Sequence, residues 1–165
     1  MPSSLIAPGL HALNFGRRAT LGYFEDIPDD KLCFQACPGA NHALWVLGHL
    51  AMTDEYFLDN VGGKPRNKFD AWEKKFFMGS KPTPSPADYP PASEVKQVLD
   101  QNRRTLLDWF GGMSDAELVR PIEGDMGQFA PTRAALVSTI AWHEGMHAGQ
   151  LTVIRKSLGI APKFG

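Results

Sequence analysis

His143 and His147 stand four residues apart in the last part of the chain, and His49 lies far upstream of them. An imidazole offers a lone pair to a transition metal and can also move protons near neutral pH, so its placement decides its chemistry. Leu136, Ile140, His143, His147, Leu151, Ile154 and Leu158 follow one another at steps of four or three, which is one face of an α-helix. The two histidines occupy positions where that pattern calls for leucine. Trp45, His49, Met52 and Tyr56 repeat the spacing, so His49 also lies on a core-facing stripe. Rings four residues apart sit on successive turns and can converge on one point. Burying three neutral imidazoles without partners costs roughly a few kcal/mol, and protonated rings would repel one another. A divalent cation removes both problems. His49, His143 and His147 are therefore the expected ligands of one divalent transition metal. Two come from one helix and the third from a facing helix, which leaves a coordination position open to water or substrate. Zinc or nickel is expected first, and iron or manganese is also compatible with imidazole.

His143-Glu144-Gly145-Met146-His147 matches the H-E-x-x-H string of zinc proteases, in which the glutamate is the general base. Such enzymes take a further ligand downstream, yet the residues after His147, AGQLTVIRKSLGIAPKFG, contain no His, Asp, Glu or Cys. No strands are evident to form a substrate-binding sheet. Glu144 also lies about 100° around the helix from His143, beside the seam. It reads either as a catalytic group that orients a ligand histidine or relays a proton, or as a surface glutamate. Gly149 and Gln150 read as packing or supporting residues. His42, seven residues before His49, roughly shares its face and has no evident role.

Four segments carry the helical period needed to position these residues, and none alternates as a strand does. The first runs from about Leu5 to Phe24. Asn41 is a plausible N-cap for the second, which stops at Val61-Gly62-Gly63. The third opens at Ser93-Glu94 and ends at Gly111-Gly112. The fourth starts near Thr132, after Pro131, and reaches Lys156 or Leu158, with Gly159 as its C′ residue. Ser114 to Glu117 reads as a capping box opening a short turn. Between the second and third helices the chain is irregular, with Pro65, Pro82, Pro84, Pro86, Pro90 and Pro91. Only Phe69 to Phe77 in that stretch could form a short amphipathic helix, and the connection could cap one end of the helical core. The expected fold is all-α: a four-helix bundle with a long connection between helices 2 and 3, forming a single domain over residues 1–165.

With 17 basic and 18 acidic residues the net charge is −1, so no long-range field favours nucleic acid or an anionic membrane. The doublets Arg17-Arg18 and Arg103-Arg104 read as solvated helix faces. No run of eighteen apolar residues spans a bilayer, and the N-terminal stretch lacks the charged leader and cleavage pattern of a signal peptide. Cys33 and Cys37 are too few for a disulfide framework and lack the C-x-x-C spacing, so they read as reduced thiols. A cytoplasmic enzyme or binding protein is the expected class.

Pro38-Gly-Ala-Asn-His-Ala-Leu-Trp45-Val-Leu-Gly48-His49-Leu50 and His143-Glu-Gly-Met-His147-Ala-Gly149-Gln150-Leu151 together resemble the DinB-like superfamily of damage-inducible helical proteins. The helix order and the long second connection agree, so the resemblance covers nearly the whole chain. It implies a three-histidine metal site whose ligands map onto His49, His143 and His147. It further implies a homodimer acting on a small molecule, as a low-molecular-weight-thiol S-transferase or a maleylpyruvate-type isomerase. A metal bound there would lower the pKa of a thiol or water. Metal-assisted hydrolysis is the alternative activity, and a metal-stabilised stress-response module without catalysis is the alternative class. A deep pocket lined by Trp45, Tyr56 or Trp142 would favour a small-molecule enzyme.

Overall fold

Helix signals and breakers along the chain resolve into seven α-helices in a computed structural model, which describes residues 3–64 and 68–163 and, at Phe69, the backbone alone. Helix α1 spans Ala7–Glu25, α2 Ala43–Asn60, α3 Phe69–Phe76, α4 Ala92–Gly111, α5 Asp115–Leu118, α6 Met126–Phe129 and α7 Arg133–Ser157. Among the described residues there is no β-strand, only an isolated bridge between Pro121 and Thr132. No helix among them is long and apolar enough to cross a membrane.

The helix ends follow local chemistry. Thr132 caps α7 by accepting from Ala135 N at 3.2 Å, and Ser114 and Glu117 form the expected capping box. Gly159 takes φ +75°. It donates to the Lys156 carbonyl while Ile160 donates to that of Arg155, so the last carbonyls of α7 are satisfied. Two expected caps differ. The residue before α4 is Pro91, not Ser93, and its extended backbone lets its carbonyl accept from Val95 N and close the first turn. The cap of α2 is His42 rather than Asn41: His42 Nδ1 accepts from Trp45 N at 3.1 Å. Asn41 instead donates to Gln150 Oε1 at 3.3 Å.

Helix α1 lies along α7 and α2 lies along α4, while α2 also meets α7 and α3. Every residue of α2 from Ala43 to Glu55 is buried. This helix is too apolar to present a polar face to water, and the connection that follows it supplies the missing cover. Trp72 and Phe76 of α3 are buried against it. The short helix expected at Phe69 to Phe77 is therefore α3, laid along α2; Pro65 lies outside the described residues.

The apolar interior has two parts. One gathers Phe24, Leu47, Phe76, Leu99 and Leu151, and the other Leu13, Phe57, Leu106, Phe110 and Ile140. Between them runs a charged layer of Arg17, Asp54, Arg103 and Glu144, one residue from each long helix. Arg17 Nε and Nη2 donate to the two Glu144 oxygens at 2.9 and 3.0 Å. Arg103 Nε and Nη2 donate to the two Asp54 oxygens at 2.8 and 2.9 Å. Arg103 Nη2 also reaches Glu144 Oε2 at 2.9 Å, and Arg17 Nη2 reaches Asp54 Oδ2 at 3.4 Å. Two positive and two negative charges thus close a ring with no net charge, the condition under which charges tolerate burial.

This layer corrects two sequence readings. Arg18 and Arg104 are exposed as expected, but Arg17 and Arg103 point inward. Glu144 is not a surface glutamate: it is 0% exposed. Burial pushes its carboxyl up, yet the Arg17 and Arg103 guanidiniums outweigh that and hold it at about 2. The Asp54 and Glu144 carboxylates in turn raise Arg103 well above its ordinary value despite its burial. Gly16 admits this packing, since a Cβ there would lie 3.1 Å from Glu144 Cγ.

Candidate metal centre

The seam spacing brings the three histidines together. His49 Nε2 lies 3.2 Å from His143 Nε2, and His147 Nε2 lies 3.1 Å from the same atom. One nitrogen from each ring lies within 4.8 Å of the others, and this is the one group of at least three potential ligands of this kind among the described residues. His49 and His147 are buried and His143 is half-buried.

The surroundings fix each ring. His49 Nδ1 donates to the Phe76 carbonyl at 2.8 Å. A carbonyl can only accept, so the proton of His49 sits on Nδ1 and Nε2 carries the lone pair. The Trp45 indole stacks on the ring at 4.6 Å and 8° between planes, and its Nε1 donates to Ser80 Oγ at 2.8 Å. Phe76 reaches this place because residue 48 is glycine: a Cβ at Gly48 would fall 2.3 Å from Phe76 Cδ1. His147 Nδ1 donates to Gln150 Oε1 at 3.0 Å, and that oxygen also accepts from Asn41. His147 therefore also turns an Nε2 lone pair inward. Such outer partners set the tautomer and orientation of metal-binding histidines.

Two lone pairs thus face His143 Nε2. A single N–H on His143 can point at only one of them, so at least one of the two contacts has no proton across it. A cation resolves this arrangement. For bonds of about 2.0–2.1 Å, ligand nitrogens stand about 2.9 Å apart at right angles and about 3.4 Å apart in a tetrahedron, and the separations of His143 Nε2 from the other two rings lie between these. The rings are also in the form that binds metal. Burial, then the neighbouring His147, pushes His49 down to about 4. Burial, then His147 and His49, pushes His143 down to about 3, and burial lowers His147.

Glu144 approaches the site only through the backbone it shares with His143, since its carboxylate is engaged by the two arginines. His42 is not part of the cluster. It is fully buried as the cap of α2, with its ring edge-on to Tyr89 at 4.7 Å. Its Nε2 makes no hydrogen bond of acceptable geometry, although the Leu32 and Thr83 carbonyls favour a proton there. Burial nonetheless pushes it down to about 4. Cys33 and Cys37 are both free, and burial raises the Cys33 thiol.

A small cavity of about 100 Å³ opens beside His49 and His143, bordered by Tyr56 and Trp142 but not by Trp45, which is occupied in stacking. A larger cleft of about 710 Å³ lies near Cys33, Tyr89 and the proline-rich connection. None of the three clustered histidines borders it.

Residues that sequence reasoning missed are Arg17, Asp54 and Arg103, whose pairing runs between helices, and the Phe76 carbonyl, which belongs to no side-chain motif. A helical fold with three clustered imidazoles that could hold a metal ion defines the class of this chain. The family model described as DinB superfamily matches residues 12–151, and the chain belongs to that superfamily. A comparison with curated proteins gives no significant match.

Proposed function

We propose that His49, His143 and His147 hold one divalent transition metal, zinc or nickel first and iron or manganese otherwise, inside a four-helix bundle formed by α1, α2, α4 and α7 as a single domain. The observation that carries this reading is the pair of Nε2 lone pairs aimed at His143 Nε2 from 3.1 and 3.2 Å. When bound, the metal supplies a lowered pKa for a coordinated thiol or water, and with it a nucleophile at neutral pH. The chain's own residues do the rest. The Phe76 carbonyl and Gln150 hold two rings in the right tautomer, Trp45 fixes the His49 plane, and the apolar walls of the small cavity exclude water.

The open cavity beside the histidines supports a small-molecule enzyme over a purely structural metal site. Taken with the superfamily, it supports a low-molecular-weight-thiol S-transferase or isomerase, with metal-dependent hydrolysis as the second activity. Glu144 is a positioning residue in this reading: it anchors the turn of α7 that carries His143 and His147. We place the protein in the cytoplasm as a homodimer, a reading drawn from the superfamily and the free thiols.

Elemental analysis of protein purified without an affinity-tag metal tests the centre. About one first-row metal per chain is expected, lost in His143→Ala; no metal under several expression conditions overturns it. The activity is tested with a chlorinated aromatic electrophile and several cellular thiols. Rates indifferent to metal and to thiol identity would remove the transferase reading.

A further inference from the structure

The cavity beside His49 and His143 has an unusual division of chemistry. Its walls come from four separate elements: Tyr56 and Phe57 on α2, Phe77 and Met78 after α3, Phe129 on α6 and Trp142 on α7. Two threonines also border it, and both turn their hydroxyl protons to backbone carbonyls. Thr53 donates to those of His49 and Leu50, and Thr139 to those of Phe129 and Ala135. No described residue lining the cavity carries an ionised side chain. Its nitrogen atoms that face a ligand at the deep end belong to His49 and His143. At the mouth, Met78, Phe129 and Trp142 are 64%, 58% and 67% exposed, so three large apolar side chains from three elements meet water at one place. Exposed apolar groups gathered around a concavity mark a ligand site.

We propose that this cavity binds small uncharged aliphatic or aromatic molecules carrying a single metal-seeking head such as a thiol. The head lies at the three histidines and the apolar body lies against Tyr56, Phe57 and Phe77. The head's position rests on the metal reading above; the body's position does not. The volume, about 100 Å³, is below that of an engineered cavity of about 150 Å³ that holds benzene, so a short chain fits as it stands and a single ring enters by pushing aside the exposed Met78, Phe129 and Trp142 side chains at the mouth. A carboxylate on the body meets no cation among the described lining residues and loses its hydration without compensation. The site therefore discriminates against dicarboxylate substrates and against thiols that carry several carboxylates, which narrows the activity proposed above to S-transfer and away from a maleylpyruvate-type isomerase.

The test compares two probes with one head. Protein loaded with one equivalent of zinc is titrated calorimetrically with benzyl mercaptan and with 4-(mercaptomethyl)benzoate. Benzyl mercaptan is expected to bind at least tenfold more tightly. In Phe129→Lys, a change at an exposed position, that ratio is expected to shrink at least fivefold because a cation then stands at the mouth. The metal-free protein is titrated separately with toluene, which has no head, and shifts are expected at the methyl signals of Met78 and Met126. If zinc fails to bind while toluene still moves those signals, the metal reading fails and the cavity assignment stands. Toluene without effect, or a benzoate bound as tightly as benzyl mercaptan, overturns the assignment at any metal content.

Discussion

Arg17 grips Glu144 through two hydrogen bonds of 2.9 and 3.0 Å, joining α1 to α7 one residue away from the proposed ligand His143. The other side of the same carboxylate is held by Arg103 of α4 at 2.9 Å. A glutamate that in sequence suggests catalysis is thus one corner of a buried charge ring. The ring splits the apolar interior at matching levels of all four long helices, so it penalises any sliding of one helix past another. Each shift by a turn would leave a charge facing leucines.

Replacing Glu144 by Gln leaves two guanidiniums with one carboxylate. Breaking a buried pair by removing one partner costs about 3–5 kcal/mol. For a chain of this size that lowers the melting temperature by roughly 6–20 °C. The glutamate sits at about 2 against an ordinary 4.5, so its contribution is full above pH 4.5 and is lost as pH falls through 2. Melting curves of Glu144→Gln and the parent protein at pH 7 check this. Metal content near one per chain in the variant is the matching expectation for a positioning residue, and loss of metal with the fold intact would assign Glu144 a direct role.

Adding zinc to metal-free protein should stabilise it, because the folded chain presents three preset nitrogens and the unfolded chain does not. At a hundredfold excess over Kd the gain is about 2.7 kcal/mol, or roughly 5–10 °C in melting temperature. A chelator should reverse it, and His143→Ala should show neither response in differential scanning calorimetry.

The histidine seams were legible because burial on a helix has a period, and His143 and His147 interrupt a leucine pattern at regular steps. The termini of α7 were legible for a similar reason: Thr132 and Gly159 act locally. The charge ring was not, since Arg17, Asp54, Arg103 and Glu144 lie far apart in the chain and nothing local distinguishes Arg17 from Arg18. Only the neutral sum of the four explains why they face inward. The helix α6 was also hidden, because Met126–Phe129 is a single turn with no period to read. His42 misled in a different way. Caps are usually Ser, Thr, Asp or Asn, so Asn41 drew the assignment, while the imidazole next to it had the acceptor in the right place.

His42 is therefore expected to behave as a buried cap and not as a fourth ligand. His42→Asn keeps an acceptor for Trp45 N, whereas His42→Ala loses it at about 1 kcal/mol for the cap alone. His42→Ala should be the less stable of the two in urea denaturation, with metal stoichiometry unchanged in both. Loss of metal from a folded His42→Asn would contradict the assignment.

Gly48 offers a test of the connection between packing and the centre. A methyl group there collides with the Phe76 ring, and displacement of that ring moves the carbonyl that receives the His49 proton. Losing an outer partner of a metal-binding histidine costs about 10–100-fold in affinity. Gly48→Ala should weaken zinc binding by that order in a competition titration. Since α2 is buried on all sides at this point, a stability loss is expected alongside, and Phe76→Leu serves as the control. It shortens the ring but keeps the carbonyl, so its zinc affinity should fall less than that of Gly48→Ala.

The last prediction concerns protons. Burial and the neighbouring rings hold His49 at about 4 and His143 at about 3, and burial lowers His147. Protons compete with a metal only where the rings take them up. Zinc affinity should therefore stay nearly level from pH 8 to about 5 and fall steeply as pH approaches 4. The sign for folding of the metal-free protein follows from the same shifts. An unfolded histidine titrates near 6.5, so the unfolded chain binds protons first as pH drops. The stability tied to these neutral rings is complete above about pH 6.5 and is lost progressively as pH falls toward 4 and then 3. Buried His42, at about 4, adds to the same slope. Urea midpoints of the metal-free protein should drop between pH 7 and 5, and those of the zinc-loaded protein should drop in parallel from a higher starting value, because the zinc term is constant while its affinity is level. An affinity already falling tenfold per pH unit between 7 and 6 would mean that the histidines titrate as exposed ones, and the buried centre would have to be abandoned.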